Sequence, residues 1–196
     1  MASLRDYYAD HINRYNPGMS AGLLTELRRS VHQSSAKRED IEGTMILATL
    51  CYIKRNGHTL MVYRNKKAND IHEGKWNGLG GKFEAGETPE ECIQREVQEE
   101  AGLLIQNPRL HGLLMFPKFK GNDWYVFVFT VTEFSGELID SPEGELEWIP
   151  DEKIPDLNLW ESDHIFMPWI ESRDFFSAKF DYQGDKMMGY EVTFHT

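Results

Sequence analysis

Three glutamates, Glu96, Glu99 and Glu100, fall at i, i+3 and i+4 within Arg95-Glu96-Val97-Gln98-Glu99-Glu100. On a helix that spacing sets the three carboxylates on one face, where left alone they repel one another. Ile93, Val97 and Ala101 recur at spacing four, so the helix packs on a core and cannot turn its acids away. Just upstream, residues 74 to 86 (GKWNGLGGKFEAG) carry five glycines, whose backbone can approach a ligand closely. Clustered hard oxygen donors beside such a loop suit Mg²⁺, and Mn²⁺ would serve as well, because both keep positions open for substrate phosphates. The chemistry implied is metal-assisted attack on phosphorus. The competing reading is a solvated acidic helix face; the glycine loop and Arg95, within reach of Glu91 and Glu99, stand against it.

Other phosphate motifs fail on spacing. Gly78-Leu79-Gly80-Gly81-Lys82-Phe83 has a lysine after glycines but no Ser or Thr following it, so it is no Walker A loop, and Phe83 stands where a GxGxxG fingerprint needs its third glycine.

The elements that must position these residues are legible from period and punctuation. Thr44 to Ile53 and His58 to Arg64 read as a β-hairpin turned at Asn56-Gly57. Thr88 is an apt N-cap, Glu91 three residues on completes a capping box, Pro89 suits the first helical position, and Gly102 suits a left-handed C-cap, predicting a helix over 88–101. Leu110 to Phe116 and Trp124 to Val131 read as strands. A second helix over about 162–171 precedes a hairpin of 178–182 and 189–195 turned at Gln183-Gly184-Asp185. Strands outnumber helices in a mixed order, which argues an α/β or α+β fold with a mixed sheet.

Before residue 44, Leu4, Tyr8 and Ile12, then Leu23, Leu27 and Val31, recur at spacing four around Pro17. With the polar run 33–43 as boundary, the expectation is a helical extension over 1–43 and a main domain over 44–196. Packing on the main body is favoured for these helices over a partner or nucleic-acid arm, because acids are interleaved with Arg28, Arg29, Lys37 and Arg38.

Composition sets outer limits. At 196 residues with 40% hydrophobic content the chain is a foldable domain with an appendage. The net charge, 21 − 32 = −11, repels phosphate backbones and disfavours nucleic-acid partners. The longest apolar stretch, 45–53, is far short of the roughly 20 residues that span a bilayer, and the first residues lack a secretory h-region, so a cytoplasmic protein with no membrane association is expected. Cys51 and Cys92 sit in apolar segments and read as buried reduced thiols.

Gly81, five residues, Glu87, seven residues, then Arg95-Glu96-Val97-Gln98-Glu99-Glu100-Ala101-Gly102-Leu103 fills every fixed position of the pattern G-x5-E-x7-R-E-U-x-E-E-x-G-U, with U aliphatic. In this the sequence resembles the Nudix hydrolases. The resemblance implies an α/β/α sandwich with a mixed sheet and cleavage of a nucleoside diphosphate linked to another moiety. Position by position it implies Glu96, Glu99 and Glu100 as metal ligands, with a backbone carbonyl from the Gly80-Gly81 turn. It also implies Arg95 and Glu87 as the pair that holds loop to helix and orients a catalytic carboxylate. Glu99, Glu100 and Glu143 are the three candidates for the general base, Glu143 competing with a solvated loop acid.

Residues 74–82 (GKWNGLGGK), Leu159-Trp160-Glu161-Ser162-Asp163, Pro168 and Tyr182-Gln183-Gly184 are similar to the MutT-type branch that in mammals hydrolyses oxidised purine nucleoside triphosphates, over roughly 44–195. That likeness implies that Asn77, Trp160 and Asp163 read the base, and that Lys67, Lys82, Gly80 and Gly81 contribute to substrate binding. The physics agrees: an indole stacks on a purine, a carboxylate accepts from a guanine edge, and an amide donates and accepts. Two positions depart from the branch: Ser162 stands where a first Asp is usual, and Ile71 stands near an aromatic position. The expected activity is conversion of purine nucleoside triphosphates, oxidised ones foremost, to monophosphate and pyrophosphate by a monomer or homodimer acting on a small-molecule nucleotide. The alternatives are ADP-ribose, a dinucleotide or an RNA 5′ end as substrate, or a non-catalytic nucleotide-sensing module.

Overall fold

The apolar run at 45–53 is continuous because both faces of its strand are covered. In the computed structural model it forms β1 (Met45–Arg55), whose Leu50 and Tyr52 enter one core with Phe166, Phe176 and Phe180 while Cys51 and Ile53 enter a second with Ile93, Val97 and Phe129. The structure describes residues 43–68, 70–172 and 175–195; the two amphipathic segments expected before residue 43 lie outside the described residues.

β1 turns at Asn56-Gly57, both with positive φ, into β2 (His58–Arg64). β3 (Trp76–Asn77) pairs with the end of β2, and the chain then crosses to β1, where Leu79 and Lys82 bridge Cys51 and Ala48. The expected glycine loop is therefore a flattened segment laid along β1. Helix α1 (Pro89–Ala101) follows, with Thr88 accepting from Glu91 N–H, Glu91 accepting from Thr88 N–H, and Gly102 left-handed at the end, as the spacing predicts. Ile93, Val97 and Ala101 are fully buried.

Among the described residues β4 (Leu104–Gln106) pairs only with β7 (Glu133–Ser135), in a two-stranded sheet. The main sheet continues through β5 (Arg109–Phe119), β6 (Asn122–Val131), β8 (Gly144–Pro150), β9 (Phe176–Gln183) and β10 (Lys186–Phe194), in the order β10-β9-β5-β6-β1-β2-β3 with β8 on the other side of β2. The β1–β6 and β5–β9 pairs are parallel and the rest antiparallel, so the sheet is mixed. Helix α2 (Glu161–Ser172) covers the face opposite α1, completing an α/β/α sandwich. β8 escapes a reading by composition because Glu145 and Glu147 alternate outward; its Leu146 and Trp148 pack inward on the α1 side.

Cys51 and Cys92 are buried free thiols. No helix among the described residues is long and apolar enough to cross a membrane.

Because α1 starts on a complete capping box, Thr88→Ala removes a bond to one of its orphan amides. It should lower the unfolding free energy of the full chain by about 1 kcal/mol, read as an earlier urea midpoint at unchanged m-value.

Candidate active site

An α-helix advances about 100° per residue, so Glu96 and Glu100 lie some 40° apart and Glu99 lies to the side of both. The structure places Glu96 half-buried and Glu100 buried against the glycine segment, both lining a cavity of about 650 Å³. Glu99 is exposed, outside that lining, and within 3.3 Å of Arg95. Of the expected triad, two acids thus line the cavity and the third is exposed outside its lining.

Glycines 80 and 81 make that approach possible. Gly80 (φ 142°) donates its N–H to Glu100 Oε2 at 2.9 Å, and a Cβ there would lie 2.2 Å from the Thr49 carbonyl oxygen. A Cβ at Gly81 would lie 2.4 Å from the carboxyl carbon of Glu96. Side chains at these two positions would push helix and strand apart.

Two arginines hold the acids. Arg95 donates to both oxygens of Glu87 at 2.6 and 2.9 Å, to Glu96 at 2.8 Å and to the Lys82 carbonyl at 3.0 Å, tying the glycine segment to mid-helix. It does not take Glu91, which is spent on the cap. The Arg95 hydrogen bonds pull the Glu87 pKa down to about 2. Arg64, at the end of β2, meets Asp70 (2.7 Å), Glu143 (2.5 Å) and Glu100 (3.6 Å), with every side chain in the group about a tenth exposed or less. Glu143, immediately before β8, is buried rather than solvated, and Lys67 is paired with it. Burial pushes the Glu100 pKa up to about 8 against the pull of the Gly80 N–H and Arg64. Burial raises that of Glu96 as well.

The same cavity extends to Asn77, Trp160 and Asp163. Trp160 stands edge-on to Phe119 and Tyr182, with ring centroids 5.2 and 5.8 Å away. Its Nε1–H donates to His72 Nδ1 at 2.9 Å, and Lys75 Nζ lies 4.7 Å from its ring. Asp163 is buried on α2 and accepts from the Ser162 hydroxyl; burial pushes its pKa up to about 7. Ser162 in turn accepts from the Tyr182 hydroxyl at 3.1 Å, so the residue that departs from the branch relays a hydrogen bond to the remaining acid. Among the described residues the Asn77 amide takes no hydrogen bond, and Lys82 lies over Trp124 at the cavity wall.

A NUDIX domain model matches residues 45–170. The chain belongs to the Nudix family. Its Nudix relatives include a Danio rerio protein named oxidized purine nucleoside triphosphate hydrolase, 32% identical over 143 residues that cover 72% of this chain and 89% of the relative. The Mus musculus protein of the same name is 31% identical over 129 residues, 64% of this chain and 82% of the relative. Among solved structures, the mutator MutT protein of Bacillus halodurans superposes with a TM-score of 0.67 at 30% identity, covering 75% of this chain and 97% of that one.

Nudix hydrolases are divalent-metal enzymes, and the donor chemistry here fits a hard cation. Among the described residues no three acidic, histidine or cysteine side chains are gathered as they would be around an ion, and Arg95 and Arg64 pair with Glu96 and Glu143. Yet Glu143 Oε2 is buried without a hydrogen bond, its contact with Arg64 being a charge pair that is not aligned for one. The Gly80 carbonyl likewise takes no hydrogen bond among the described residues. Glu96, Glu100, Glu143 and the Gly80 carbonyl are the groups that could hold Mg²⁺.

Arg64, Asp70 and His72 are the site residues that sequence reasoning misses. Arg64 reads only as the last residue of a strand. Asp70 and His72 read as loop polar residues, their one local signal being the two-residue spacing by which Asp70 Oδ1 accepts the His72 N–H.

Arg64→Met leaves Glu100, Glu143 and Asp70 buried without their shared cation, and should cost about 3 kcal/mol or more of stability. Thermal unfolding with and without Mg²⁺ checks this: the variant should recover part of its loss in Mg²⁺, and a variant as stable as the parent in its absence would contradict the network.

Proposed function

We propose that this Nudix hydrolase is a Mg²⁺-dependent pyrophosphohydrolase of purine nucleoside triphosphates, oxidised purines foremost, giving the monophosphate and pyrophosphate. The observation that carries the reading is one cavity lined both by Glu96, Glu100 and Gly81 and by Asn77, Trp160 and Asp163. Its volume suits a single nucleotide. The names borne by the fish and mouse relatives support the same substrate class.

In this reading Glu96, Glu100 and the Gly80 carbonyl would hold the metal. When bound, Mg²⁺ neutralises the phosphate chain and lowers the pKa of a water. Glu143 would be the proton acceptor of the site, since its Oε2 is buried without a hydrogen bond, whereas Glu99 lies outside the cavity lining. Arg95 and Glu87 keep α1 and the glycine segment in register, and Lys67 and Lys82 contribute to holding the phosphates. Trp160 supplies a stacking surface, and Asn77 and Asp163 read the base edge.

The substrate is tested with a Mg²⁺-containing panel of 8-oxo-dGTP, 2-hydroxy-dATP, dGTP, dATP, ADP-ribose and a diadenosine polyphosphate, with pyrophosphate and phosphate assayed separately. Selective pyrophosphate release from the oxidised triphosphates is expected. Turnover of ADP-ribose or the dinucleotide instead would keep the metal end and discard the base end.

Asp163 gives this pocket a pH dependence. Its pKa is raised to about 7, so it is a neutral acid below that pH and an acceptor-only carboxylate above it. A guanine edge offers donors at N1 and N2, so the KM for 8-oxo-dGTP should fall between about pH 6 and about pH 8. The Asp163→Asn profile should lack this step; an equal step in the variant would assign the titration elsewhere.

A further inference from the structure

His72 takes no part in the proposed hydrolysis, yet its tautomer is dictated by its neighbour. An indole N–H can only donate. Since Trp160 Nε1 lies 2.9 Å from His72 Nδ1, that nitrogen must present its lone pair, and the ring proton sits on Nε2. The ring stands at 80° to the indole with centroids 6.2 Å apart, and the backbone N–H of His72 is fixed on Asp70 Oδ1 at 3.0 Å. The imidazole is thus held by the indole and its backbone by Asp70. Burial first, and then the nearby Arg64 charge, push its pKa down to about 4, so it stays neutral at physiological pH. Its Nε2–H has no acceptor among the described residues, and His72 lines the same cavity as Trp160, Asp70 and Arg64.

We propose that His72 is a specificity-determining residue of the cavity: through Nδ1 it fixes the Trp160 indole, and through Nε2–H it donates to an oxygen of the bound nucleotide. This rests on the cavity being a nucleotide site. Because the two ring nitrogens are committed in opposite senses, His72 supplies directional recognition without adding charge beside Arg64 and Lys75. The oxygen belongs either to the base, as a carbonyl, or to the sugar-phosphate; the chemistry demanded is the same, an acceptor facing a neutral donor.

The two commitments can be separated by substitution. In His72→Asn the side-chain carbonyl can replace Nδ1 as the acceptor for Trp160, but nothing reaches the position of Nε2. In His72→Phe both are lost. The readout is equilibrium binding of 8-oxo-dGMP, dGMP and dAMP to the full chain, followed by tryptophan fluorescence, so that turnover is not required. His72→Asn should bind about tenfold more weakly, the loss of one hydrogen bond, with unshifted tryptophan emission. His72→Phe should bind more weakly still, with shifted emission. A loss shared by all three monophosphates assigns the acceptor to the sugar-phosphate, and a loss confined to the two guanine nucleotides assigns it to a base carbonyl. Wild-type affinity of His72→Asn for all three, while the parent binds them, overturns the donor role alone. Failure of the parent to bind any of them overturns the nucleotide reading and this inference with it. Nitrogen-15 NMR of the parent provides a check free of any variant: a proton on Nδ1 rather than Nε2 would refute the tautomer.

Discussion

Glu100 is 4% exposed, and two more carboxylates, Glu96 and Glu143, share its cavity. Gathering acids where water is scarce is costly unless cations or hydrogen bonds answer them, and much of the surrounding structure follows from that need. Arg64 comes from one strand and Arg95 from the helix itself, so the acids are gripped from two sides. The grip is incomplete: one oxygen of Glu143 has charge compensation but no hydrogen bond, and the Glu100 pKa stays raised. A site whose negative charge exceeds what its own side chains neutralise favours an added cation, which is the electrostatic basis for expecting a divalent ion here.

The precision of the arrangement comes from backbone devices. The capping box sets where α1 begins, and the apolar stripe of Ile93, Val97 and Ala101 sets its rotation on the sheet. With start and rotation fixed, Glu96 and Glu100 have one place to point. Two consecutive glycines then bring the strand-like segment 79–82 within hydrogen-bond distance of Glu100, and the Arg95–Glu87 pair locks that segment to the helix. A single methyl at Gly80 or Gly81 collides with backbone or carboxylate, so the glycines are a geometric requirement of buried acids beside a strand.

Local signals were legible in the sequence wherever they were strong. The hairpin at Asn56-Gly57, the capped helix and the terminal hairpin at Gly184-Asp185 lie where period and turn chemistry put them. The mixed sandwich follows from their order. What escaped depends on tertiary pairing: β8 hides behind outward-facing Glu145 and Glu147, and β4 and β7 are three-residue strands that exist only by pairing with each other. At the site the helical spacing puts three acids on one face, but only packing decides that Glu99 stays exposed outside the cavity lining. Arg64 is a strand-end cation in sequence and becomes the centre of a buried network because β2 ends beside α1 and the start of β8. No spacing rule links positions 64, 100 and 143.

Trp160 and the acids are joined by hydrogen bonds running from Trp160 to His72, from the His72 backbone to Asp70, and from Arg64 to Asp70, with Arg64 also touching Glu143 and Glu100. A displacement of the indole is thereby resisted by the same arginine that holds the acids. Charge sets the terms on which a polyphosphate would enter. The chain carries −11 overall, so a free triphosphate is repelled at long range. Against this the cavity presents Arg64, Lys67, Lys82 and Lys120 along its lining. These cations are largely spent: Arg64 and Lys67 on Glu143, and Lys120 on Asp185. A polyphosphate would therefore approach most favourably with its charge already reduced by a divalent ion, and once seated it would compete with Glu143 for Lys67. That exchange would loosen one of the two cationic holds on Glu143 at the moment a proton acceptor is needed, so in the proposed reading substrate binding and exposure of the acceptor are one event.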